Sequence, residues 1–130
     1  MPALSQGLQF SIYNSTSSVA VVYPNNTGTM QIYHSEPVKG DGYYGSSDGL
    51  HTVLYTMDMT FIGTVTMQAS LATQPVESDW FSIEDVSSSY DIMSNLHATQ
   101  VDYYNFTGNF VWVRGVVSIS AGTASILYNH

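Results

Sequence analysis

The sequence predicts an all-β chain: an antiparallel β-sandwich, or a jelly-roll-like relative of one, with eight to nine short strands in a single domain over residues 1–130. Three observations predict it. Hydrophobic residues make up 44% of the chain and charged residues 9%, so there is material for a core but little of the Glu and Lys that exposed helix faces carry. Ser, Thr, Asn, Gly and Tyr take the place of the missing charges, and these residues suit strand faces and turns. Apolar side chains also recur at every second position between clusters of turn residues.

The elements follow in order. Leu8, Phe10 and Ile12 alternate with Gln9, Ser11 and Tyr13, which predicts a first strand. Residues 18–23 form a β-branched run ending at Pro24, and Met30, Ile32 and His34 alternate with Thr29, Gln31 and Tyr33. Pro24-Asn25-Asn26-Thr27-Gly28 between them can supply the positive φ of a hairpin loop, so these two runs are expected to pair. The glycine-rich stretch 36–49 is expected to be a loop carrying Lys39.

Residues 50–57 and 61–70 form a second expected pair. Ile62, Thr64, Thr66, Gln68 and Ser70 make a polar-leaning face opposite Phe61, Gly63, Val65, Met67 and Ala69. Gly63 inside this pattern points to a bulge or a close backbone approach. A short strand is expected at 80–84, and a helical turn within 87–97, where Tyr90, Met93 and Leu96 recur at threes. Residues 101–107 and 110–117 are expected to pair across Gly108-Asn109, and 123–128 closes the chain. In 110–117, Phe110, Trp112 and Val116 are assigned to one face and Val111, Val113 and Val117 to the other. A strand apolar on both faces must be covered on both, by a sheet, a loop or another subunit.

Ten acidic residues against Lys39 and Arg114 give a formal charge of −8, which leaves almost nothing to neutralise phosphates, so no nucleic-acid partner is expected. No apolar run reaches the roughly 20 residues of a membrane-spanning helix, so no membrane insertion is expected, and residues 1–6 do not read as a secretory signal.

Motifs that suggest chemistry fail on context. Gly40-Asp41-Gly42-Tyr43-Tyr44-Gly45 matches the dinucleotide fingerprint but opens no helix. Gly45-Ser46-Ser47-Asp48-Gly49 matches a nucleophile elbow around Ser47 without the α/β scaffold that such an elbow requires. His34, His51, His97 and His130 are not spaced as metal ligands, and Asp41 and Asp48 lack the alternating oxygens of a calcium loop. Glu77, Asp79, Glu84 and Asp85 bracket Trp80-Phe81, a pattern open to glycoside hydrolysis, but nothing in the sequence fixes the separation that chemistry needs, which favours ordinary surface acids. Asn105-Phe106-Thr107 is one of three glycosylation sequons, of a kind that arises readily by chance in this composition. No catalytic residue, cofactor or metal is expected.

Aromatic residues carry the functional reading. Tyr43-Tyr44 and Tyr103-Tyr104 are adjacent pairs, and in a strand one ring of each pair enters the core while the other faces outward. Together with Trp80, Trp112 and Arg114 they are the candidates for an interface or ligand surface. Arg114 can cap the core edge, stack on an aromatic or pair with a carboxylate across an interface.

Two segments carry a family resemblance. One runs from Phe61-Ile62-Gly63-Thr64-Val65 through Ala69-Ser70-Leu71-Ala72-Thr73 and Pro75 to Asp79-Trp80-Phe81. The other is Phe106-Thr107-Gly108-Asn109-Phe110-Val111-Trp112-Val113-Arg114, with Gly122 and Ile126-Leu127-Tyr128-Asn129-His130. Together they resemble small virion structural proteins of T4-like tailed bacteriophages of the marine cyanophage type. The resemblance implies a non-enzymatic particle protein assembled in the host cytoplasm, whose partners are other virion proteins and copies of itself. The rival expectation is a carbohydrate-binding or host-receptor-binding module, with a surface glycan as partner and the Tyr and Trp rings as stacking platforms.

Overall fold

The computed structural model describes residues 5–11, 18–19, 21–24, 29–40, 49–90 and 99–129. Thirteen strands occur among them: β1 (Ser5–Gly7), β2 (Phe10–Ser11), β3 (Ser18–Val19), β4 (Val21–Val22), β5 (Gln31–His34), β6 (Val38–Lys39), β7 (Leu50–Met57), β8 (Ile62–Ser70), β9 (Phe81–Ser82), β10 (Ser88–Tyr90), β11 (Gln100–Thr107), β12 (Trp112–Ala121) and β13 (Ala124–Asn129). Among the described residues one 3-10 turn covers Glu77–Asp79. The first sheet runs β1-β13-β7-β11, with β4 beside β1 on the same edge of β13. The second runs β10-β8-β12-β5, with β9 on β8 and β6 on β12. All these pairings are antiparallel, and the two sheets enclose one core, so the predicted β-sandwich is the fold. No helix among the described residues is long and apolar enough to cross a membrane.

Alternation fixes which side of each strand is buried. On β7, His51, Val53, Tyr55 and Met57 are buried and the residues between them are not. On β8, Gly63, Val65, Met67 and Ala69 face inward, leaving Thr64, Thr66 and Gln68 outside, as the sequence pattern predicts. Val113, Val117 and Ile119 of β12 meet Ile126 and Tyr128 of β13 in the same core cluster. Leu8, Phe10 and Phe61 are fully buried in that cluster as well. Gly63 has φ +154°, and a Cβ there would lie 1.9 Å from the Ser118 carbonyl oxygen. The β8–β12 ladder shifts register beside it, between Ile119 and Ala121, so the expected bulge and the expected close approach are both present.

The pairing differs from expectation. Val21–Val22 joins the first sheet through β13, whereas Gln31–His34 joins the second through β12, so the expected hairpin across Pro24 does not form. Its loop residues 25–28 lie outside the described residues. Likewise β7 and β8 belong to different sheets, and so do β11 and β12. These connections cross the core instead of closing a ladder. At the β7–β8 corner the Asp58 carboxylate accepts from Thr60 N–H (3.1 Å) and Thr60 Oγ1–H (3.0 Å), an Asx-type turn that leads the chain out of the first sheet. The same oxygen accepts from Thr123 N–H (3.2 Å), which ties this corner to the β12–β13 corner. At the β11–β12 corner Gly108 donates to the Gly49 carbonyl (3.0 Å), and Phe110 packs its ring where a Cβ on Gly108 would stand. Phe110 therefore leaves the Trp112 face and reaches Phe106, Phe81 and His51, with ring centroids 5.7–6.2 Å away.

Two further expectations change. The segment assigned to a helical turn begins as β10, where Ser88–Tyr90 pair with Gly63–Val65 of β8, and residues 91–97 lie outside the described residues. Lys39 stands on β6, paired with Trp112, instead of in a loop, and Gly40 N–H donates to the Val111 carbonyl (2.9 Å). Residues 41–48, which hold both glycine-motif matches, Ser47 and the two loop aspartates, lie outside the described residues.

Candidate functional site

The outer face of the second sheet carries the richest side-chain chemistry. Thr64, Thr66 and Gln68 project outward from β8, and Trp112, Arg114, Val116 and Ser118 from β12, because both strands commit their alternate residues to the core. Register places Gln68 beside Arg114, Thr66 beside Val116, and His34 of β5 on the other side of Val116. Residues 71–80 fold over this face. Trp112 Nε1–H donates to the Thr73 carbonyl at 2.9 Å, and the Val76 N–H donates to the Asp79 carboxylate at 2.9 Å, which shapes the turn at Glu77–Asp79.

Arg114 is the pin. Its Nη2 and Nη1 donate to the two Glu77 carboxylate oxygens at 2.8 and 3.2 Å, its Nε donates to Gln68 Oε1 at 2.9 Å, and the Trp80 ring lies 4.4 Å from its Cζ. The Arg114 side chain is only 7% exposed, while that of Glu77 is 74% exposed. One guanidinium thus combines a bidentate carboxylate fork, an amide acceptor and an indole face, an arrangement open to arginine and not to lysine. The pairing is made within the chain, so of the three expected roles Arg114 stacks on an aromatic and pairs with a carboxylate, but not across a subunit boundary. The second apolar side of β12 is covered by a loop.

The charges of this cluster shift its titrations. The hydrogen bonds from Arg114 hold the Glu77 carboxyl below the ordinary glutamate value. Neighbouring protein displaces part of the water around His34, and the Arg114 charge adds to this. Together they push the imidazole pKa down against the opposing pull of Glu77.

Around this pin lies a floor of hydroxyls. Thr64 Oγ1 and Ser89 Oγ are 2.9 Å apart, and Ser87 Oγ–H donates to Thr66 Oγ1 at 2.7 Å. The result is a mixed surface on which an immobilised indole, an exposed carboxylate and hydroxyls lie among the exposed apolar side chains Ile32, Leu71 and Val76. It has hydrogen-bonding groups of both kinds and, among the described residues, no activated nucleophile.

The remaining candidates lie elsewhere. Tyr103 stands on the outer face of the first sheet and is 69% exposed. Tyr104 turns inward, its ring 5.6 Å from Tyr55 and its hydroxyl bonded to Ser88 Oγ (2.8 Å) and to the Ser87 carbonyl (3.1 Å). The expected one-in, one-out split therefore holds for this pair, while Tyr43 and Tyr44 lie outside the described residues. Trp80, Trp112 and Arg114 share one face of the sandwich and Tyr103 occupies the other. Gln68 was not singled out by the sequence, and His34 was weighed there only as one of four scattered histidines. Their only signal was an outward position in an alternating strand. His51 is a core histidine: Nδ1 meets the Tyr128 hydroxyl and Nε2 the Gly108 carbonyl, each at 2.8 Å, and its ring stacks on Phe106 at 4.9 Å.

No family model matches the chain, and no curated protein matches it. Solved structures do align along nearly its whole length. The K2 cleaved adhesin domain of Lys-gingipain, from Porphyromonas gingivalis, aligns over 98% of this chain and 82% of its own, at 8% identity and a TM-score of 0.52. The C-terminal CBM6 of LamC, a marine laminarinase from Zobellia galactanivorans, aligns over 98% of this chain and 100% of its own, at 11% identity and a TM-score of 0.48. CBM29_1, a carbohydrate-binding module from Piromyces equi, aligns over 98% and 78%, at 10% identity and a TM-score of 0.45. Likeness at such identities concerns architecture.

Proposed function

We propose that this chain is a non-catalytic glycan-binding module that holds its ligand on the outer face of the second sheet. The observation that carries this reading is the Trp80 indole fixed on the buried Arg114 guanidinium beside the exposed Glu77 carboxylate. A sugar ring offers an apolar C–H face and a rim of hydroxyls. An immobilised indole stacks on the first, and carboxylate, amide and hydroxyl groups bond the second. Fixing the ring beforehand removes an ordering cost that a free side chain would incur on binding. With Arg114 neutralised by Glu77 and a net charge of −8, the surface favours neutral glycans over acidic ones. Solved structures of similar architecture include carbohydrate-binding modules, which is compatible with this reading, although the reading stands on the face itself.

The test is a glycan array followed by calorimetry. The expected outcome is binding to a neutral glycan, weakened about tenfold or more by Trp80→Ala, which removes the stacking surface. A folded chain that binds no glycan overturns the reading.

A second reading, a virion structural protein of the T4-like type, is favoured by a different observation: the outer face of the first sheet exposes Val101, Tyr103, Leu127 and Val21. An apolar face of this kind suits assembly. The two readings are compatible in a module that displays a glycan site on a particle. Mass spectrometry of purified particles tests the second, and absence of the chain from them removes it.

A further inference from the structure

Among the described residues the outer face of the first sheet carries no charged side chain, and it holds both a projection and a recess. Its central row runs Tyr103, Leu54, Leu127, Gly7 across β11, β7, β13 and β1. The flanking rows, Val101-Thr56-Ser125-Val21 and Asn105-Thr52-Asn129, add no charge, although the chain as a whole carries −8. Tyr103 is 69% exposed at one end of the central row. At the other end β1 and β4 meet end to end against β13, where Leu8 N–H donates to the Ile126 carbonyl at 3.0 Å. The outer strand is interrupted there, and a cleft of about 300 Å³ opens, lined by Gly7, Val21, Leu54, Ser125 and Leu127 among others.

We infer that this face pairs with a second copy of the chain, each Tyr103 entering the cleft of the other copy. A two-fold axis lying along the strands above β7 reverses the order of strands across the face. It carries the β11 side of one copy over the β13 side of the other, so projection and recess meet twice. Charge allows this occupant: although two chains of −8 repel, the named rows add no charge to the contact, so the repulsion is least through this face. Area sets the strength. Strands about 4.8 Å apart and roughly 25 Å long give a face on the order of 450 Å² per copy. Two copies then bury on the order of 900 Å², the size class of weak, reversible association. Such a dimer leaves both second-sheet faces pointing outward on opposite sides. The inference does not rest on the glycan reading, and a failed glycan array leaves it standing.

Sedimentation velocity from micromolar to millimolar protein tests it, with three variants on exposed positions. The parent chain is expected to pass reversibly from monomer to dimer. Tyr103→Lys and Leu127→Glu each place a lone charge in the contact and are expected to weaken dimerisation about tenfold or more. The double variant brings opposite charges together across the two-fold and is expected to recover much of the loss. A parent that stays monomeric through millimolar concentration, single variants that dimerise like the parent, or a double variant no tighter than the singles each overturns the proposal.

Discussion

Arg114 illustrates how much one side chain can organise. A guanidinium this buried needs its donors matched, and Glu77, Gln68 and Trp80 match them in three directions. Arg114→Lys keeps the charge but loses the fork and the flat face, and is expected to lower stability by about 2 kcal/mol, read by chemical denaturation. Acid acts on the same cluster in one direction. Glu77 has its pKa lowered in the folded state, so its contribution is present above the unfolded value of 4.5 and is lost as pH falls through the lower folded value. His34 is also lowered, so below 6.5 the unfolded chain takes up a proton that the folded chain resists, and stability again falls with pH. Denaturation midpoints are therefore expected to drop on acidification below pH 6.5, and Glu77→Gln is expected to flatten the part of that drop below 4.5. The sequence left Arg114 with three possible roles because its partners lie 37 and 46 positions away, and no local pattern names them. His51 read as one of four scattered histidines, while its burial between the Tyr128 hydroxyl and the Gly108 carbonyl depends on strands distant in sequence.

At the level of elements, alternation separated the two faces of β8, and the structure buries the less polar one, since burial of one side is a property of each strand alone. It did not tell which strands are hydrogen-bonded. A short turn between two alternating runs serves equally as a hairpin or as an arch across the core, and Asp58 with its ties to Thr60 and Thr123 makes the arch at β7–β8. Gly63 was legible because a glycine weakens a strand interior and so marks a place where the backbone bulges or another chain segment comes close. Gly63→Ala drives a Cβ into the Ser118 carbonyl and is expected to cost about 3 kcal/mol or to prevent folding, seen as loss of the cooperative thermal transition. The two basic residues lie on β12 and on the short strand beside it. Lys39 is exposed on the two-residue edge strand β6, while Arg114 is 6% exposed inside β12 between paired neighbours. Limited trypsin digestion of native protein is expected to cut after Lys39 alone or not at all, and rapid cleavage after Arg114 contradicts the sandwich.

As a whole the molecule has two unlike faces: one bears Tyr103 and Leu127 and no charge among the described residues, and the other bears Trp80, Arg114 and Glu77. The sequence put Tyr103 and Trp80 in a single pool of candidate rings, because one-dimensional order does not reveal which side of a sandwich a strand presents. Separated in this way, one face fits the proposed pairing of copies and the other the proposed ligand site. The central claim concerns the ligand face. Its most direct test is titration of a neutral oligosaccharide, chosen from a glycan array, into the parent chain, Trp80→Ala and Tyr103→Lys. The account predicts saturable binding to the parent, a loss of about tenfold or more in Trp80→Ala, and unchanged per-chain affinity in Tyr103→Lys. Binding that survives in a folded Trp80→Ala, or that is lost in Tyr103→Lys instead, contradicts it.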